Sequence, residues 1–297
     1  MLKEGQKIKV GFCDKTLWSR FLATLGIVSS LVTLLSFFVT AADIGINVLY
    51  IAIPFLFGII LLFFGMWFFA NQRNHAELKI NNTAVSVTVG DIWAPLKKDP
   101  KNRTGEISVI GVNDFFDVVV DDRIIASSSL HGQYINRMKQ ANEFDKLKRV
   151  IKNDPILNRP GNSEAVPSRT DGRKTRYKLG SMVEFEGYVL TAFTKFDDDN
   201  KAWLTAEEYA CFWMRFWSNI DQIYAGRTIN IPLMGAGITR FRNGKPSKQE
   251  LLEVMLWSLK MSGFRNTYPG KRINFVIYSE DAGEIDFYHI QHNPNYK

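Results

Sequence analysis

The sequence is short of several things at once. Between Phe21 and Ala70 it has no lysine, arginine or histidine, and the single acid there is Asp43. The chain has two cysteines, Cys13 and Cys211, whose spacing suits no metal site. Two such residues exclude a disulfide framework and fit reduced thiols in a cytosolic setting. There is no Gly-x-Gly-x-x-Gly and no Walker sequence, which argues against a dinucleotide oxidoreductase and a P-loop ATPase. The net charge is +7, yet no zinc-finger, RRM or helix-turn-helix pattern accompanies it, so it is not read as a nucleic-acid footprint. Paired carboxylates placed for general acid–base work are not evident.

Two apolar runs fill the uncharged stretch. Phe21 to Ala42 and Val48 to Ala70 lie on either side of the polar break Asp43-Ile44-Gly45-Ile46-Asn47. Crossing a bilayer takes about 20 apolar residues at 1.5 Å each, and both runs reach that length. Neither alternates polar and apolar faces at a 3.6 period, as a core helix would. A signal peptide is the other alternative, with a basic start and Val39-Thr40-Ala41 as a cleavage pattern. The first run is too long for its apolar region and a second span follows at once. Lys3, Lys7, Lys9, Lys15 and Arg20 precede the hairpin, Arg73 and Lys79 follow it, and the connecting turn has no basic residue. The positive-inside rule then places both termini in the cytoplasm. The expectation is an inner-membrane protein with two spans. A basic cytoplasmic segment at 1–20 leads into a transmembrane hairpin at 21–70, with membrane lipid as a partner. The hairpin has no basic group, so it reads as an anchor or an assembling element rather than an ion pathway.

Residues 76–297 are long enough for one domain with its own core. Leu78 to Val89 is rich in β-branched residues, and Glu106 to Val112 reads as a buried strand. Phe115 to Val120 and Ile124 to Ser127 are expected as further short strands. Tyr134 to Lys152 reads as one amphipathic helix, and Met182 to Phe196 as a strand or hairpin. Thr205-Ala206-Glu207-Glu208 and Ser247-Lys248-Gln249-Glu250 are capping boxes, each opening a helix. Thr228 to Leu233 and Arg272 to Tyr278 are strands. Alternating strands and helices predict an α/β fold. Asn153 to Thr175, with three prolines and two glycines, is expected to be a flexible loop or a lid.

The best candidate site is Met234-Gly235-Ala236-Gly237-Ile238-Thr239-Arg240, directly after a strand; Gly235 to Thr239 are its ligand-binding candidates. Glycines there let backbone N–H groups approach a phosphate, and open α/β sheets bind ligands at that edge; an ordinary tight turn is the alternative. Two further segments point the same way. One is Gly90-Asp91-Ile92 after an early strand. The other is Asn113, closing the next strand, followed by Ser128-Ser129-Leu130-His131-Gly132 before a helix.

Together these residues resemble a macro domain, the module that binds ADP-ribose. The resemblance implies a three-layer α/β/α domain with a mixed central sheet. It implies Asp91 on the adenine amino group with Ile92 beside it, Asn113 on the distal ribose, and Ser128 to Gly132 with Gly235 to Thr239 around the diphosphate. Tyr278 would lie beside adenine. Behind a two-helix hairpin, such a domain resembles the membrane-anchored effectors of bacterial Thoeris anti-phage systems. This implies a sensor of an ADP-ribose derivative made by a TIR-domain partner. It also implies a homo-oligomer acting on the membrane, with no cofactor beyond that ligand and no catalytic residue. The alternatives are a membrane-bound ADP-ribosyl hydrolase, with His131 and Asp114 as candidate acid–base groups, and a non-enzymatic scaffold for ADP-ribosylated proteins.

Overall fold

The computed structural model describes residues 8–38, 47–94 and 105–296. The chain divides into two units. One is Met1–Ala76 with Asp286–Pro294, and the other is Glu77–Ile285 with Asn295–Lys297.

The first unit is the hairpin. Helix α1 (Lys15–Ser36) starts where the Asp14 side chain accepts from the Leu17 amide, and α2 (Val48–Asn71) where Asn47 accepts from Leu49 N. Each side chain satisfies an N–H that has no partner within its helix. The Asp14 cap starts the first helix six residues ahead of the expected Phe21. Except for Asn47, the expected polar break lies outside the described residues, as do Lys3, Lys7 and Val39-Thr40-Ala41. Apolar side chains cover the outside of both helices: Leu22, Ile27, Leu31 and Leu35 on α1, Ile53, Leu56, Phe57 and Leu61 on α2 are all exposed. A core helix would bury them. The hydroxyls of Thr24, Ser30 and Thr33 each donate to the carbonyl four residues back, so α1 presents no unsatisfied polar group from them to an apolar solvent.

The base of the hairpin is closed by both ends of the chain. Asn71 is 1% exposed, and its Oδ1 accepts from Lys9 N at 2.9 Å and Val10 N at 3.0 Å. Its Nδ2 donates to the Val10 and Trp67 carbonyls, so one side chain reads the N-terminal backbone as a neighbouring strand would. Val10, Leu17 and Ala70 are buried with Tyr288, which comes from a short helix, Phe287–His292, that belongs to this unit.

The second unit is a nine-stranded mixed sheet in the order β1-β2-β11-β9-β3-β7-β8-β10, with β6 paired to β7. Strands β1 (His75–Ile80) and β2 (Thr83–Val89) are joined by Asn81 and Asn82, at φ 51° and 63°, the left-handed pair that a tight hairpin turn requires. The central run β2, β11 (Arg272–Ile277), β9 (Thr228–Pro232), β3 (Glu106–Asn113) and β7 (Tyr188–Phe196) is parallel throughout. Around it lie β6 (Met182–Phe185), antiparallel to β7, then β8 (Ala202–Leu204) and β10 (Arg240–Phe241).

Helices cover both faces. Ala192 of β7 joins the cluster built with Tyr134, Ile135, Leu147 and Ile151 from α3 (Leu130–Gln140) and α4 (Phe144–Asn153). The next residue, Phe193, meets Phe212 of α5 (Ala206–Ile220) at 4.9 Å. Successive residues of a strand point to opposite faces, so these are opposite layers. On the second face α5 packs against α6 (Lys248–Ser262), tied by Trp217 Nε1 donating to Ser258 Oγ at 2.9 Å. Both capping boxes form, and α6 stops at left-handed Gly263 (φ 69°).

Two expectations are corrected. Residues 115–120 and 124–127 are not strands. Phe116 turns to φ 52°, and a single bridge joins Val120 to Ile125. The expected helix 134–152 is two helices, because Asn142 at φ 58° breaks it. The segment expected as a flexible loop has structure of its own. It carries an antiparallel ribbon, β4 (Ser163–Ala165) with β5 (Thr175–Tyr177), and Arg169 between them enters a buried ion pair with Asp117 at 2.8 Å.

Candidate functional site

Parallel pairing delivers the carboxyl ends of β2, β11, β9, β3 and β7 to one edge, and the candidate residues collect there. A cavity of about 560 Å³ is lined by Asp91 and Ile92 after β2, Tyr278 after β11, Gly235 to Thr239 after β9, and Ser128 to His131 at the start of α3. That volume is typical of a small-ligand site. A second cavity of about 360 Å³ adjoins it, and both share Gly111, Ser129, His131, Phe193, Ile238 and Thr239. Asn113 lines only the second, and Gly132 neither.

Each wall has a local cause. Asp91 forms a turn by accepting from Trp93 N at 3.0 Å, which leaves Ile92 buried and the carboxylate at the surface. Ser129 caps α3 by accepting from Gly132 N at 3.0 Å. Gly132 is structural, since a Cβ there would collide with the Ala126 carbonyl. Leu130 and His131 of the first turn of α3 line the cavity, and a helix N-terminus favours an anion. Gly235 has φ 87°, and a Cβ there would press on Leu251, Phe241 and Tyr209 at 3.4 Å. At Gly237 a Cβ would meet nothing within 4 Å, so packing does not demand glycine there. Tyr278 is an exposed aromatic at the mouth.

Polar groups behind the wall are already employed. The Asn113 amide donates to Asp117 Oδ2 at 3.0 Å, and its Oδ1 accepts from Phe115 N and Asp117 N. His131 lies 3.0 Å from the Asp117 carbonyl through Nε2. A carbonyl only accepts, so the proton is assigned to Nε2. Burial, opposed by the Asp117 charge, lowers its pKa to about 4, and the ring is neutral at pH 7. Asp114 lines neither cavity. It accepts from Phe196 N at 3.0 Å and pairs with Arg176 at 3.1 Å, and burial pushes its carboxyl up to about 6.

Several lining residues gave no sequence signal. Trp93, Gln133 and Asp281 border the first cavity, and Arg123, Asp199 and Lys201 the second, where Arg240 from the end of the candidate loop also lies. Most lie in turns or on short edge strands, where no periodicity marks them. Trp93 could have been found, as it directly follows Asp91-Ile92.

This arrangement can be compared with known proteins. The chain is 32% identical over 268 residues to the "Thoeris protein ThsA" of Bacillus amyloliquefaciens (strain Y2), covering 90% of this chain and 87% of that one. Among solved structures, a variant of the Oceanobacillus iheyensis macrodomain with ADPR aligns at TM-score 0.45 and 13% identity, covering 73% of this chain and 96% of that one. The same macrodomain with ADP aligns at TM-score 0.38 and 13% identity, covering 73% and 94%. Residues 85–278, the stretch that holds nearly all of the sheet edge, match the family described as Thoeris protein ThsA, Macro domain. With its mixed sheet and its two apolar N-terminal helices, the chain belongs to the Thoeris ThsA family and carries that family's macro domain.

Proposed function

We propose that this protein is a membrane-anchored sensor and effector of bacterial anti-phage defence. Its macro domain binds an ADP-ribose-derived nucleotide made by a TIR-domain partner. Binding drives assembly of copies of the chain, and the hairpin then disrupts the membrane. The observation that carries the reading is the sheet edge, where Asp91, Tyr278, the start of α3 and the Gly235 to Thr239 loop line one cavity. Adenine suits the Asp91, Ile92 and Tyr278 end, and the diphosphate suits the α3 N-terminus and Gly235 to Thr239. The distal ribose extends into the second cavity. Asp199, Arg123, Lys201 and Arg240 there offer both signs of charge to a substituent that plain ADP-ribose lacks.

Binding without turnover is supported by the state of the acid–base groups. His131 is neutral and spends Nε2 on a backbone carbonyl, and Asp114 lies outside both cavities. The exposed apolar surfaces of α1 and α2 support two spans, and Lys9, Lys15, Arg20 and Arg73 around the base support cytoplasmic termini. A ligand shifts such an equilibrium only by its differential affinity for resting and assembled states.

Calorimetry on the full chain in lipid nanodiscs tests the reading, with ADP-ribose and its amino-acid conjugates as titrants. Saturable binding of at least one, with larger particles forming on binding, is expected. Binding of none refutes it, and release of ADP-ribose from a modified protein would replace it with the hydrolase.

A further inference from the structure

Beside the Gly235 to Thr239 loop stands a lysine that lines neither cavity. Lys245 Nζ donates to the Ala236 carbonyl at 2.7 Å and to the Gly237 carbonyl at 2.7 Å. At the start of the same loop the Tyr209 hydroxyl lies 3.1 Å from the Met234 carbonyl. In a trans peptide the C=O and the following N–H point to opposite sides of one plane, and the described peptides here are trans. Gathering the Ala236 and Gly237 carbonyls onto one ammonium therefore turns the N–H groups of Gly237 and Ile238 the other way. Both residues line the first cavity, and a Cβ added at Gly237 would meet nothing within 4 Å. The neighbouring cation, Lys248, is committed elsewhere, to Asp281 at 2.7 Å and Glu284 at 2.9 Å.

We propose that Lys245 is a positioning residue for nucleotide diphosphates: it holds two carbonyls back so that consecutive N–H groups meet the phosphate oxygens. This rests on the nucleotide-binding reading of the cleft. Lys245 touches no ligand in this scheme and acts only through the loop. Backbone amides aimed in advance bind an anion without paying to reorient, which is where preorganisation gains affinity.

The test titrates the full chain in nanodiscs with ADP-ribose and, separately, with adenosine, which lacks the phosphates. Lys245→Ala is expected to weaken ADP-ribose about tenfold, ~1.4 kcal/mol, with adenosine affinity and the ligand-free melting midpoint unchanged. Lys245→Arg, which keeps a cation with several donors, is expected to recover most of the loss. The loss should persist at about 500 mM salt, where a direct long-range attraction is screened. Unchanged ADP-ribose affinity in Lys245→Ala overturns the proposal, as does an equal loss for adenosine or a loss that disappears at high salt. Wild-type protein that binds no ADP-ribose overturns the reading of the cleft itself, a result distinct from any of these.

Discussion

Replacing Arg169 by alanine should cost far more than a surface arginine would. Its guanidinium reaches Asp117 Oδ2 at 2.8 Å and Oδ1 at 3.2 Å, the Arg173 carbonyl at 2.7 Å and Asn200 Oδ1 at 2.7 Å. It also lies 3.7 Å from the centre of the Phe115 ring. The Asp117 side chain is 0% exposed and that of Arg169 is 8% exposed. Removing the arginine strands a buried carboxylate with Asn113 Nδ2 and Arg173 N as its remaining donors. Breaking a buried pair from one side costs about 3–5 kcal/mol. The lost cation–π contact overlaps with that cost rather than adding to it in full, so ~4 kcal/mol is expected. Urea unfolding of the full chain in nanodiscs, followed by the emission of buried Trp213 and Trp217, gives the number. Arg169→Met with Asp117→Asn removes both charges and should recover more than half. The same change should separate ligands. Asn113, His131 and Asn200 line the second cavity and all contact Asp117 or Arg169. ADP-ribose should therefore weaken more than ADP, which ends before that cavity. A loss below about 1 kcal/mol in Arg169→Ala would refute the reasoning, since it would mean the pair is solvated or the ribbon is not held by it.

Three further outcomes are expected. Asp114 has its folded-state pKa raised to about 6, so its contribution is full below its ordinary 3.8 and is lost as pH rises through 6; His131, lowered to about 4, contributes fully above 6.5 and loses that as pH falls. Between pH 4 and 6 these two proton counts cancel, so Asp114→Asn should unmask a stability that rises with pH by about 1.4 kcal/mol per unit, and a pH series of melts with the slope unchanged would count against both assignments. Gly237→Glu should leave the melting midpoint nearly unchanged, because nothing crowds a side chain there, while ADP-ribose binding drops by at least about tenfold and toxicity in cells is lost. Asn71→Ala removes the acceptor for Lys9 N and Val10 N, so hydrogen exchange at those two amides should quicken by about tenfold or more, with the sheet amides unaffected.

What was legible in the sequence was local. Thr205 with Glu208 and Ser247 with Glu250 announce their helices because both partners of each cap lie within one turn. Gly235 and Gly237 after an apolar strand, and Asp91 after another, mark the sheet edge because strand ends and glycines are short-range signals. The two apolar runs are compositional and were legible for the same reason. The rest depends on contacts that no periodicity encodes. Asp117 pairs with Arg169 from 52 residues away, beside a ribbon formed within a Pro- and Gly-containing stretch, and engages the Asn113 amide on the protein itself. Lys245 looks like any loop lysine until the Ala236 and Gly237 carbonyls are seen to converge on it. The break at Asn142 interrupts a pattern that remains amphipathic across it, so the two helices read as one.

Segments on either side of the sheet in sequence, around Val10 and around Tyr288, meet at the foot of the hairpin, and this has a consequence in time. Residues 8–71 are made before the sheet, whereas Tyr288, which is buried with Val10, Leu17 and Ala70, is made after it. At ~5–20 residues per second, the interval between the two is roughly ten to forty seconds. During it the whole sheet and its ligand edge are synthesised. The foot of the hairpin is thus completed only after the sheet between its two contributing segments has been synthesised.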